Sequence, residues 1–282
     1  MASTPLFTQH SRLWRDHRYV YPVISRRSRG LSIGINLSPG KQCTFRCVYC
    51  SVDRTVPGEA GPVDLEAIAR ELDALLGQVQ TGELWTDGPL AATPPELRRL
   101  NDVAFSGDGE PTAAAEFPRA AEIVVQALGK RSLAPKIVVI TNATLLNKPE
   151  VVRTLAFLDG HGLEVWAKLD AGTEEHYRQM DRSCVPLDRI LANLLATARL
   201  RPVVIQSMFV RLHGVPPAPS EIDAWLGRLK DLMAGGARID RVQVYTSARK
   251  TAEPFVQPLT GAELEGIAAR VREIGLRADT FG

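Results

Sequence analysis

The sequence predicts an α/β fold, a partial (β/α)6 barrel built on a curved parallel sheet. Three observations predict it. Strand-like and helix-like segments alternate in six successive units, which is typical of parallel strands joined by right-handed crossover helices. The 282 residues are 45% hydrophobic, which is enough for one sizeable core. No apolar run reaches the roughly 18 residues of a membrane-spanning helix, so we expect no membrane association.

The first half of the chain contains the first three units. Residues 31–37 form the first predicted strand. Asp64 is predicted to cap a helix that runs to about Val79, because apolar residues recur on one face of that segment. The Pro- and Gly-rich residues 81–100 are predicted to form a loop. The remaining elements of this half are strand 102–105, helix 116–128 and strand 136–140.

The second half continues the alternation. Asn147 and Pro149 open a predicted helix, because Asn favours the cap position and Pro the first turn. Ser220 is expected to cap a helix that ends near Met233, and a capping-box spacing at Thr260 and Glu263 opens the last helix. The other elements are strands 163–169, 203–210 and 239–245 and helices 173–180 and 187–200. In parallel barrels the active site lies at the carboxyl ends of the strands, so we expect functional residues there.

Three of the four cysteines lie within eight residues, shortly after the first predicted strand: Cys43, Cys47 and Cys50. Their spacing is C-x3-C-x2-C, and the aromatic Tyr49 precedes the last of them. Three thiolates on one loop can bind three irons of a [4Fe–4S] cluster, because such clusters are held by cysteine sulfur. The fourth iron would lack a protein ligand, and an open metal position is where a substrate or cofactor can react.

Other interpretations of this loop are weaker. Structural zinc usually takes four Cys or His ligands, and an electron-carrier ferredoxin has a different cysteine spacing. A disulfide is not expected, because the N-terminus lacks the features of a secretion signal and clustered cysteines suit a reducing cytosol. We therefore expect a cytoplasmic protein. Cys184 stands alone, and an inert, small hydrophobic role is the commoner one for such a residue.

The charge is unevenly placed. Residues 1–50 hold eight basic residues and one acid, a balance of +7, whereas the other residues hold 26 basic and 31 acidic residues, a balance of −5. We expect a basic N-terminal arm, residues 1–30, ahead of a core domain, residues 31–282. Its densest part, with Arg26, Arg27 and Arg29, could hold a phosphate-bearing substrate or an acidic redox partner. The alternative is that these arginines pair with acids within the fold.

A glycine-containing turn, Ser106-Gly107-Asp108-Gly109-Glu110-Pro111, follows the second predicted strand. With this turn and the cysteine loop together, the chain resembles the radical S-adenosylmethionine (radical SAM) superfamily over nearly its whole length. The turn looks like the superfamily's glycine-glycine-glutamate element, which contacts the methionine amino group of the cofactor. Glycine allows close backbone approach to a ligand, and Glu110 can accept a hydrogen bond from an ammonium group.

Within that superfamily, the chain resembles the branch of tRNA wyosine-base synthases and their uncharacterised bacterial relatives. The segments that carry this likeness run from Ser25-Arg26-Arg27 through Ser32-Ile33-Gly34-Ile35-Asn36-Leu37, with Thr141-Asn142-Ala143-Thr144 and Lys168-Leu169-Asp170-Ala171 further on. Wyosine synthases carry additional N-terminal cysteines for a second cluster, and this chain has no cysteine before Cys43. The wyosine reaction itself is therefore not supported.

The resemblance implies two cofactors, a [4Fe–4S] cluster and S-adenosylmethionine, and a set of site residues. The cluster would be reduced by a one-electron donor such as flavodoxin or ferredoxin. S-adenosylmethionine would be cleaved to a 5′-deoxyadenosyl radical that abstracts a substrate hydrogen. Cys43, Cys47 and Cys50 would ligate the cluster. The expected cofactor-binding residues are Tyr49, Gly107, Asp108, Gly109, Glu110, Asn142, Lys168, Asp170, Gln206 and Ser207.

The leading expectation for the substrate is tRNA or a nucleotide, from the branch resemblance and the basic N-terminus. A glycyl-radical activase or a peptide-modifying enzyme is the alternative within the same superfamily. A non-catalytic iron–sulfur electron carrier or redox sensor is the alternative of another class. The turn at Gly107–Pro111 argues against that last class, because a carrier needs no cofactor-binding turn.

Overall fold

The computed structural model describes residues 14–59 and 61–282. Its strands are β1 Val20–Ser25, β2 Gly30–Ile35, β3 Leu100–Phe105, β4 Lys136–Thr141, β5 Leu163–Lys168, β6 Val203–Met208, β7 Val210–Leu212, β8 Ile239–Tyr245, β9 Val256–Pro258 and β10 Ala278–Phe281. Its helices are α1 Leu65–Thr81, α2 Phe117–Lys130, α3 Pro149–Asp159, α4 Glu174–Asp181, α5 Leu187–Leu200, α6 Pro219–Ala234 and α7 Gly261–Glu273. Short 3-10 turns occupy Glu83–Trp85, Gly88–Leu90, Pro95–Leu97 and Pro111–Ala113.

The main sheet has eight strands in the order β1-β2-β3-β4-β5-β6-β8-β10. β1 is antiparallel to β2, whereas the pairs β2–β3, β3–β4, β5–β6, β6–β8 and β8–β10 are parallel. Strands β7 and β9 form a separate antiparallel pair. The parallel order with intervening helices confirms the predicted fold class, α/β with the sheet of a partial (β/α)6 barrel. No helix in the described part of the chain has both the length and the hydropathy needed to cross a bilayer.

The described residues group into two compact units. The first comprises the described residues through Gln42 together with 57–139 and 153–163. The second comprises 43–56, 140–152 and 164–282. The cysteine loop, the segment after β5 and strands β6 and β8 belong to the second unit, and the turn at Gly107–Glu110 belongs to the first.

In the first unit, α1 secures the start of β1. Asp64 caps α1 as predicted, since its side chain accepts a hydrogen bond from the Ala67 amide. The Glu71 carboxylate of α1 accepts hydrogen bonds from the amides of Arg18, Tyr19 and Val20, at 3.0, 2.8 and 2.9 Å. These bonds satisfy three backbone donors at the point where β1 begins.

Strand β1 is an element that sequence reasoning missed, because its residues were assigned to the basic arm. The turn that joins β1 to β2 contains Arg26, Arg27 and Arg29. It lies at the amino end of β2, whereas the chain leaves the carboxyl end of β2 toward Asn36–Gln42. Six residues at a rise of about 3.3 Å separate the two ends by about 20 Å. Residues 1–13 of the predicted arm lie outside the described residues.

In the second unit, most of the predicted elements are present with small shifts. Thr260 and Glu263 form the predicted capping box of α7. The prediction that Ser220 caps a helix was wrong: α6 begins at Pro219 with Ala218 in the cap position, because Pro is itself favoured in the first turn. The predicted strand 203–210 is interrupted at Phe209, whose ring packs edge-to-face on Trp225 with centroids 5.0 Å apart. Beyond Phe209, the chain turns into β7 and pairs with β9.

Candidate active site

The cysteine loop is held by backbone hydrogen bonds on both sides. The amides of Arg46 and Val48 donate to the carbonyls of Asp181 and Met180 at the end of α4, each at 2.9 Å. On the other side, the amides of Ala252 and Glu253 donate to the carbonyls of Cys50 and Val48, at 2.7 and 3.3 Å. The conformation of the loop is therefore fixed by the end of α4 and by the segment before β9.

The three cysteine side chains are half-buried and free of disulfides: Cys43, Cys47 and Cys50. The sulfur of Cys43 accepts weak hydrogen bonds from the Phe45 amide at 3.5 Å and from Nδ2 of Asn142 at 3.7 Å. Donors of this kind stabilise a cluster-bound thiolate and tune the reduction potential of the cluster. The thiol of Cys47 donates to Oδ1 of Asp181 at 3.3 Å.

This donor set fits a [4Fe–4S] cluster. Among residues 14–59 and 61–282, no group of three or more Cys, His, Asp or Glu side chains converges as the ligands of one metal ion would. A four-iron cluster does not need such convergence, because each thiolate binds a different iron. The N–H donors around Cys43 suit a sulfur that carries negative charge. The remaining cysteine, Cys184, is exposed.

Asn142 connects the end of β4 to the cysteine loop. Its Nδ2 donates to Oγ1 of Thr44 at 2.7 Å, and its Oδ1 accepts from Oγ1 of Thr144 at 2.7 Å. The hydroxyls of Thr44 and Thr144 lie 2.8 Å apart and close a ring of three side chains. Asn193 of α5 holds the turn that follows β4, because its side-chain amide donates to the carbonyls of Ala143 and Thr144, at 2.9 and 3.0 Å.

A buried polar network lies beside Cys47. The hydroxyl of Tyr49 makes a short hydrogen bond to Asp170 and lies 3.0 Å from Oδ1 of Asp181. The side-chain ammonium of Lys168 lies 3.1 Å from Asp170 and donates to the Tyr245 hydroxyl at 2.9 Å. The two carboxylates are 2% and 1% exposed, so the network is almost sealed from water.

Burial and the charges of neighbouring side chains determine which groups of this network hold a proton. Burial raises the pKa of Asp181, and the neighbouring Asp170 carboxylate raises it further. Burial likewise raises the pKa of the Cys47 thiol, with Asp181 adding to the effect. Burial opposes the charge of Lys168, but Asp170 and the other neighbours outweigh it and raise the pKa of Lys168 above its ordinary value. A protonated Asp181 fits the geometry, because the single hydroxyl hydrogen of Tyr49 cannot serve two carboxylates.

Gln206 and Ser207, adjacent on β6, have different surroundings. The Ser207 hydroxyl donates to the backbone carbonyl of Leu169 at 2.6 Å. Gln206 is a register partner of Lys168 on β5, and its amide bonds to Gln243 on β8. Gln206 therefore lies on the same face of the sheet as Lys168. The hydroxyl of Ser207 is instead hydrogen-bonded to the loop after β5.

In the first unit, the turn after β3 is built around Asn36. Its Oδ1 accepts from the amides of Asp108 and Ser38, at 3.1 and 3.0 Å, and its Nδ2 donates to Asp108 at 2.7 Å. A Cβ atom on Gly107 would overlap Asn36, and one on Gly109 would overlap the carbonyl oxygen of Gln42. Both positions therefore require glycine for reasons of space.

Glu110 ends this turn and is 2% exposed. Its Oε1 accepts from the amide and the hydroxyl of Thr112, at 3.2 and 2.6 Å, and so caps the short turn Pro111–Ala113. Its own amide donates to the carbonyl of Gln42 at 3.3 Å. Glu110 thus has a structural role in the turn besides the predicted cofactor contact.

The structure brings three of the predicted residues into one network, Tyr49, Lys168 and Asp170, and places Asn142 against Cys43. Sequence reasoning missed Asp181, Tyr245 and Gln243. Tyr245 ends the predicted strand 239–245, and this position at the carboxyl end of a strand was a usable signal. Asp181 lies at the end of a helix and Gln243 within a strand, where nothing in the local sequence distinguishes them. The predicted cofactor contacts remain predictions.

The sequence profile of the radical SAM superfamily matches residues 37–216, which include the cysteine loop, the turn at Gly107–Glu110 and strands β3 to β6. The chain belongs to the radical SAM superfamily. Its expected membership is confirmed, and the cofactors of that superfamily are a [4Fe–4S] cluster and S-adenosylmethionine. Two solved structures share the fold of this chain. S-adenosylmethionine-bound SuiB of Streptococcus suis is 15% identical, with a TM-score of 0.61 over 91% of this chain and 52% of SuiB.

The second solved structure is TYW1 with a lysine-pyruvate adduct bound, which is 15% identical, with a TM-score of 0.52 over 87% of this chain and 74% of TYW1. Among curated proteins, the UPF0026 protein of Methanocaldococcus jannaschii is 27% identical over 180 residues, covering 62% of this chain and 48% of that protein. The chain spans about half the length of the curated relatives it matches. At these identities the two structures show a common fold.

Proposed function

We propose that Cys43, Cys47 and Cys50 hold the [4Fe–4S] cluster of a radical SAM enzyme that acts on a nucleic-acid or nucleotide substrate. The observation that carries the cluster assignment is that this loop contains three cysteines and no fourth. Backbone hydrogen bonds on both sides fix the conformation of the loop. When bound, the cluster and S-adenosylmethionine supply reductive cleavage of the sulfonium and a 5′-deoxyadenosyl radical for hydrogen abstraction.

The residues of the chain orient and enclose this chemistry. The amides of Arg46 and Val48 fix the loop to α4, and Asn142 donates toward the sulfur of Cys43. The Tyr49–Asp170–Asp181 network is nearly sealed from water, and its hydrogen bonds fix the side chain of Tyr49 within the cysteine loop. Glu110, as the proposed acceptor for the cofactor's ammonium group, is held in place by Thr112.

The cluster assignment is tested by anaerobic reconstitution. Wild-type protein should hold about four irons and four sulfides, as cubane ligation requires, and should release 5′-deoxyadenosine from S-adenosylmethionine with a strong reductant. The triple variant Cys43→Ala, Cys47→Ala, Cys50→Ala should lose both the iron and the cleavage. Cys184→Ala is the matched control and should keep both. Stoichiometric zinc without iron in the wild type would contradict the proposal.

The proposed redox partner is a one-electron donor of the flavodoxin or ferredoxin kind. Arg46, between two of the cysteines, is exposed, and so is Arg182, which pairs with Glu253. Positive charge beside the cysteine loop suits an acidic carrier, because complementary charge steers association. Reduction by such a carrier should therefore slow as salt concentration rises.

The nucleic-acid substrate is supported by the uneven charge of the chain and by the likeness of the motifs to the wyosine-synthase branch. Arg26, Arg27 and Arg29 are gathered in the turn between β1 and β2. If they contact phosphates, the affinity for a tRNA should fall with salt, and each lost contact should lower the log–log slope by roughly 0.7 to 0.9.

The experiment measures tRNA affinity across a salt series for the wild type and for Arg26→Ala, Arg27→Ala, Arg29→Ala. Arg270→Ala removes an exposed arginine of α7 that pairs with Asp223, and serves as the control. We expect the triple variant to have a shallower slope and the control to match the wild type. Equal affinity of all three proteins at every salt concentration would leave a peptide substrate as the better proposal.

A further inference from the structure

Two exposed arginines lie at the amino ends of neighbouring parallel strands in the first unit. Arg29 is the last residue of the turn before β2, and Arg99 directly precedes β3. The Leu31 amide donates to the Arg99 carbonyl at 2.9 Å, which fixes the two strand ends next to each other. Like charges on adjacent strands repel one another, and an anion bound beside them removes that repulsion.

The side-chain amide of Asn101 holds these two positions. Its Nδ2 donates to the carbonyl of Ser28 at 2.5 Å, and its Oδ1 accepts from Nε of Arg99 at 2.7 Å. A Cβ atom on Gly30 would overlap Nδ2 of Asn101, so glycine is needed there for space. One side chain thus fixes both the turn that carries Arg29 and the guanidinium of Arg99.

Within residues 14–59 and 61–282, neither arginine pairs with a carboxylate. Asn101 takes only the Nε hydrogen of Arg99, so the four Nη hydrogens of that guanidinium remain for another acceptor. Other exposed arginines of the same unit do form ion pairs, as Arg15 does with a carboxylate at 3.0 Å and Arg119 with Glu122. Two unmatched guanidinium groups side by side are a donor set suited to phosphate oxygens.

Turn chemistry does not explain the arginine at position 29. Its φ is +54°, which lies in the left-handed region. Glycine and asparagine adopt this region at the least cost, and an arginine side chain gains nothing from it. Residues that break a local rule in this way are expected at functional sites. The presence of arginine here therefore points to a role for its charge.

We propose that Arg29 and Arg99 form a phosphate clamp for the backbone of a polynucleotide substrate. A guanidinium presents a planar fork of N–H donors that matches phosphate oxygens, and Asn101 orients the fork of Arg99 beside the second charge. This inference rests on the proposed nucleic-acid or nucleotide substrate and narrows it to a chain of several nucleotides.

The length of the substrate follows from the position of the clamp. Arg99 precedes β3, whereas the turn Gly107–Glu110 of the same unit follows it, and the six residues of β3 span about 20 Å. Phosphates of one stacked strand are about 3.4 Å apart along the helix axis, so roughly six nucleotides cover this distance. A molecule that reaches from the clamp to the proposed cofactor turn is therefore an oligonucleotide or longer, and a dinucleotide is too short.

The test uses the reconstituted enzyme with S-adenosylmethionine bound and two fluorescein-labelled oligoadenylates, of two and twelve residues. Fluorescence anisotropy gives their dissociation constants across a salt series. The wild type should bind the dodecamer about tenfold more tightly than the dinucleotide or better, because more phosphates release counterions. The double variant Arg29→Ala, Arg99→Ala should lose most of this difference. Its log–log salt slope for the dodecamer should be lower by roughly 1.4, which is about 0.7 for each lost contact with a single strand.

Two further variants make the test specific. Arg153→Ala is the matched control, because it removes an exposed arginine of α3 that also has no ion pair in the described part of the chain. It should bind both probes as the wild type does. Should thermal unfolding show that the double variant does not fold, the single variant Arg99→Gln decides the question, since it changes one exposed side chain. Its slope for the dodecamer should fall by roughly 0.7.

Wild-type slopes in both the double variant and Arg99→Gln would overturn the inference, because the two arginines would then contact no phosphate. An equal loss in Arg153→Ala would reduce the effect to net charge and would also overturn it. If the double variant weakens the dinucleotide as much as the dodecamer, the arginines lie at the site of short ligands and the length argument is wrong.

The failure of this inference is distinguishable from that of the proposed function. Loss of iron or of 5′-deoxyadenosine formation in the wild type would contradict the proposed chemistry. If the wild type forms 5′-deoxyadenosine and binds the dinucleotide as tightly as the dodecamer, a nucleotide substrate stands and the polynucleotide clamp is rejected. If it binds neither probe, the nucleic-acid substrate is wrong and the clamp is rejected with it.

Discussion

Glu110 shows how one residue can serve the fold and a ligand at once. Its Oε1 atom is held by the amide and hydroxyl of Thr112, so the side chain cannot rotate away from the turn. A fixed carboxylate loses little conformational entropy when it receives an ammonium group, and preorganisation of this kind favours binding. An experiment can separate the capping role of Glu110 from the role of its negative charge. A glutamine at this position retains one acceptor oxygen for Thr112 but carries no charge.

We predict that Glu110→Gln lowers the affinity for S-adenosylmethionine by about 10- to 100-fold, the worth of a hydrogen bond between charged groups. Iron content should not change, because the residue is not a predicted cluster ligand. The measurement is cofactor binding by isothermal titration of reconstituted enzyme. Glu116→Gln, at the start of α2 with no side-chain capping bond, is the control and should bind normally. An unchanged affinity in Glu110→Gln would show that this carboxylate does not contact the cofactor.

At the scale of elements, α6 holds the loop that follows β5. Three residues spaced i, i+4 and i+7 lie on one face of the helix and bond to this loop. Glu221 accepts from the Gly172 amide at 2.6 Å, Trp225 donates to the Leu169 carbonyl at 3.0 Å and Arg228 donates to the Gly172 carbonyl at 2.9 Å. Since this loop carries Asp170, the helix sets the position of a residue that bonds to Tyr49 in the cysteine loop.

We predict that Glu221→Gln destabilises the protein by about 1–3 kcal/mol, because charge-assisted bonds to two amides and to the Thr173 hydroxyl are weakened. The measurement is the free energy of unfolding from a denaturant titration. Asp223→Asn, two residues along α6 and paired with Arg270 at the surface, is the control. Its cost should stay below about 1 kcal/mol, the usual worth of an exposed ion pair. Equal costs for the two variants would mean that α6 does not hold the loop through Glu221.

A second contact between elements predicts a pH dependence. Asp73 of α1 pairs with Arg131, just beyond α2, at 2.9 Å, and with Lys130 at 3.3 Å. The hydrogen bond from Arg131 is the main cause that lowers the pKa of Asp73. The unfolded chain then takes up this proton at a higher pH than the folded one, so the stabilisation is present above about pH 4 and is lost as pH falls through the lower folded pKa.

We predict that Asp73→Asn removes this acid-dependent loss and lowers the stability at neutral pH by less than about 1 kcal/mol, because the pair is partly exposed to solvent. The measurement is the thermal unfolding temperature of the wild type and of Asp73→Asn between about pH 2 and pH 7. This range spans the ordinary aspartate pKa. Glu66→Gln, which removes an exposed carboxylate from the first turn of the same helix, should leave the acid profile unchanged. A Glu66→Gln profile that matches that of Asp73→Asn would refute the specific role of Arg131.

At the scale of the whole molecule, binding of the cluster should change local stability where the cysteine loop is anchored. A ligand that binds only the folded state stabilises it, and loop segments that open locally are protected most. The amides of Arg46, Val48, Ala252 and Glu253 bond to or within the loop and its supports. These positions belong to segments that are far apart in sequence, so their joint response reports the tertiary arrangement.

We predict that cluster loading slows hydrogen exchange in peptides covering 43–56 and 248–255 by about tenfold or more, which is 1.4 kcal/mol or more in local opening free energy. Peptides from α1, whose hydrogen bonds lie within the helix, serve as the internal control and should exchange at the same rate with and without the cluster. Mass spectrometry of anaerobic samples gives both rates. Uniform protection across the chain would indicate global stabilisation instead of a cluster anchored at this loop.

Local sequence patterns determined most of the elements and the cluster motif. The Asp64 cap, the Thr260–Glu263 capping box and the alternation of strands and helices depend on neighbours a few residues apart, so they can be recognised without a structure. The spacing of Cys43, Cys47 and Cys50 is equally local. Sequence reasoning failed at β1 because an edge strand rich in polar neighbours has no periodicity of its own, and its hydrogen-bond partners on β2 and α1 decide its conformation.

The amino-acid sequence by itself determined the fold class, the superfamily and the three candidate cluster ligands, because these follow from residue types at short spacings. Only the tertiary structure decided which distant side chains meet. It joined Tyr49 to Asp170 and Asp181, paired Gln206 with Gln243, and placed Arg26, Arg27 and Arg29 in a turn about 20 Å along β2 from the segment that leads to the cysteines. The physical reason is that burial and long-range hydrogen bonds depend on strand register and helix packing, which no short stretch of sequence contains.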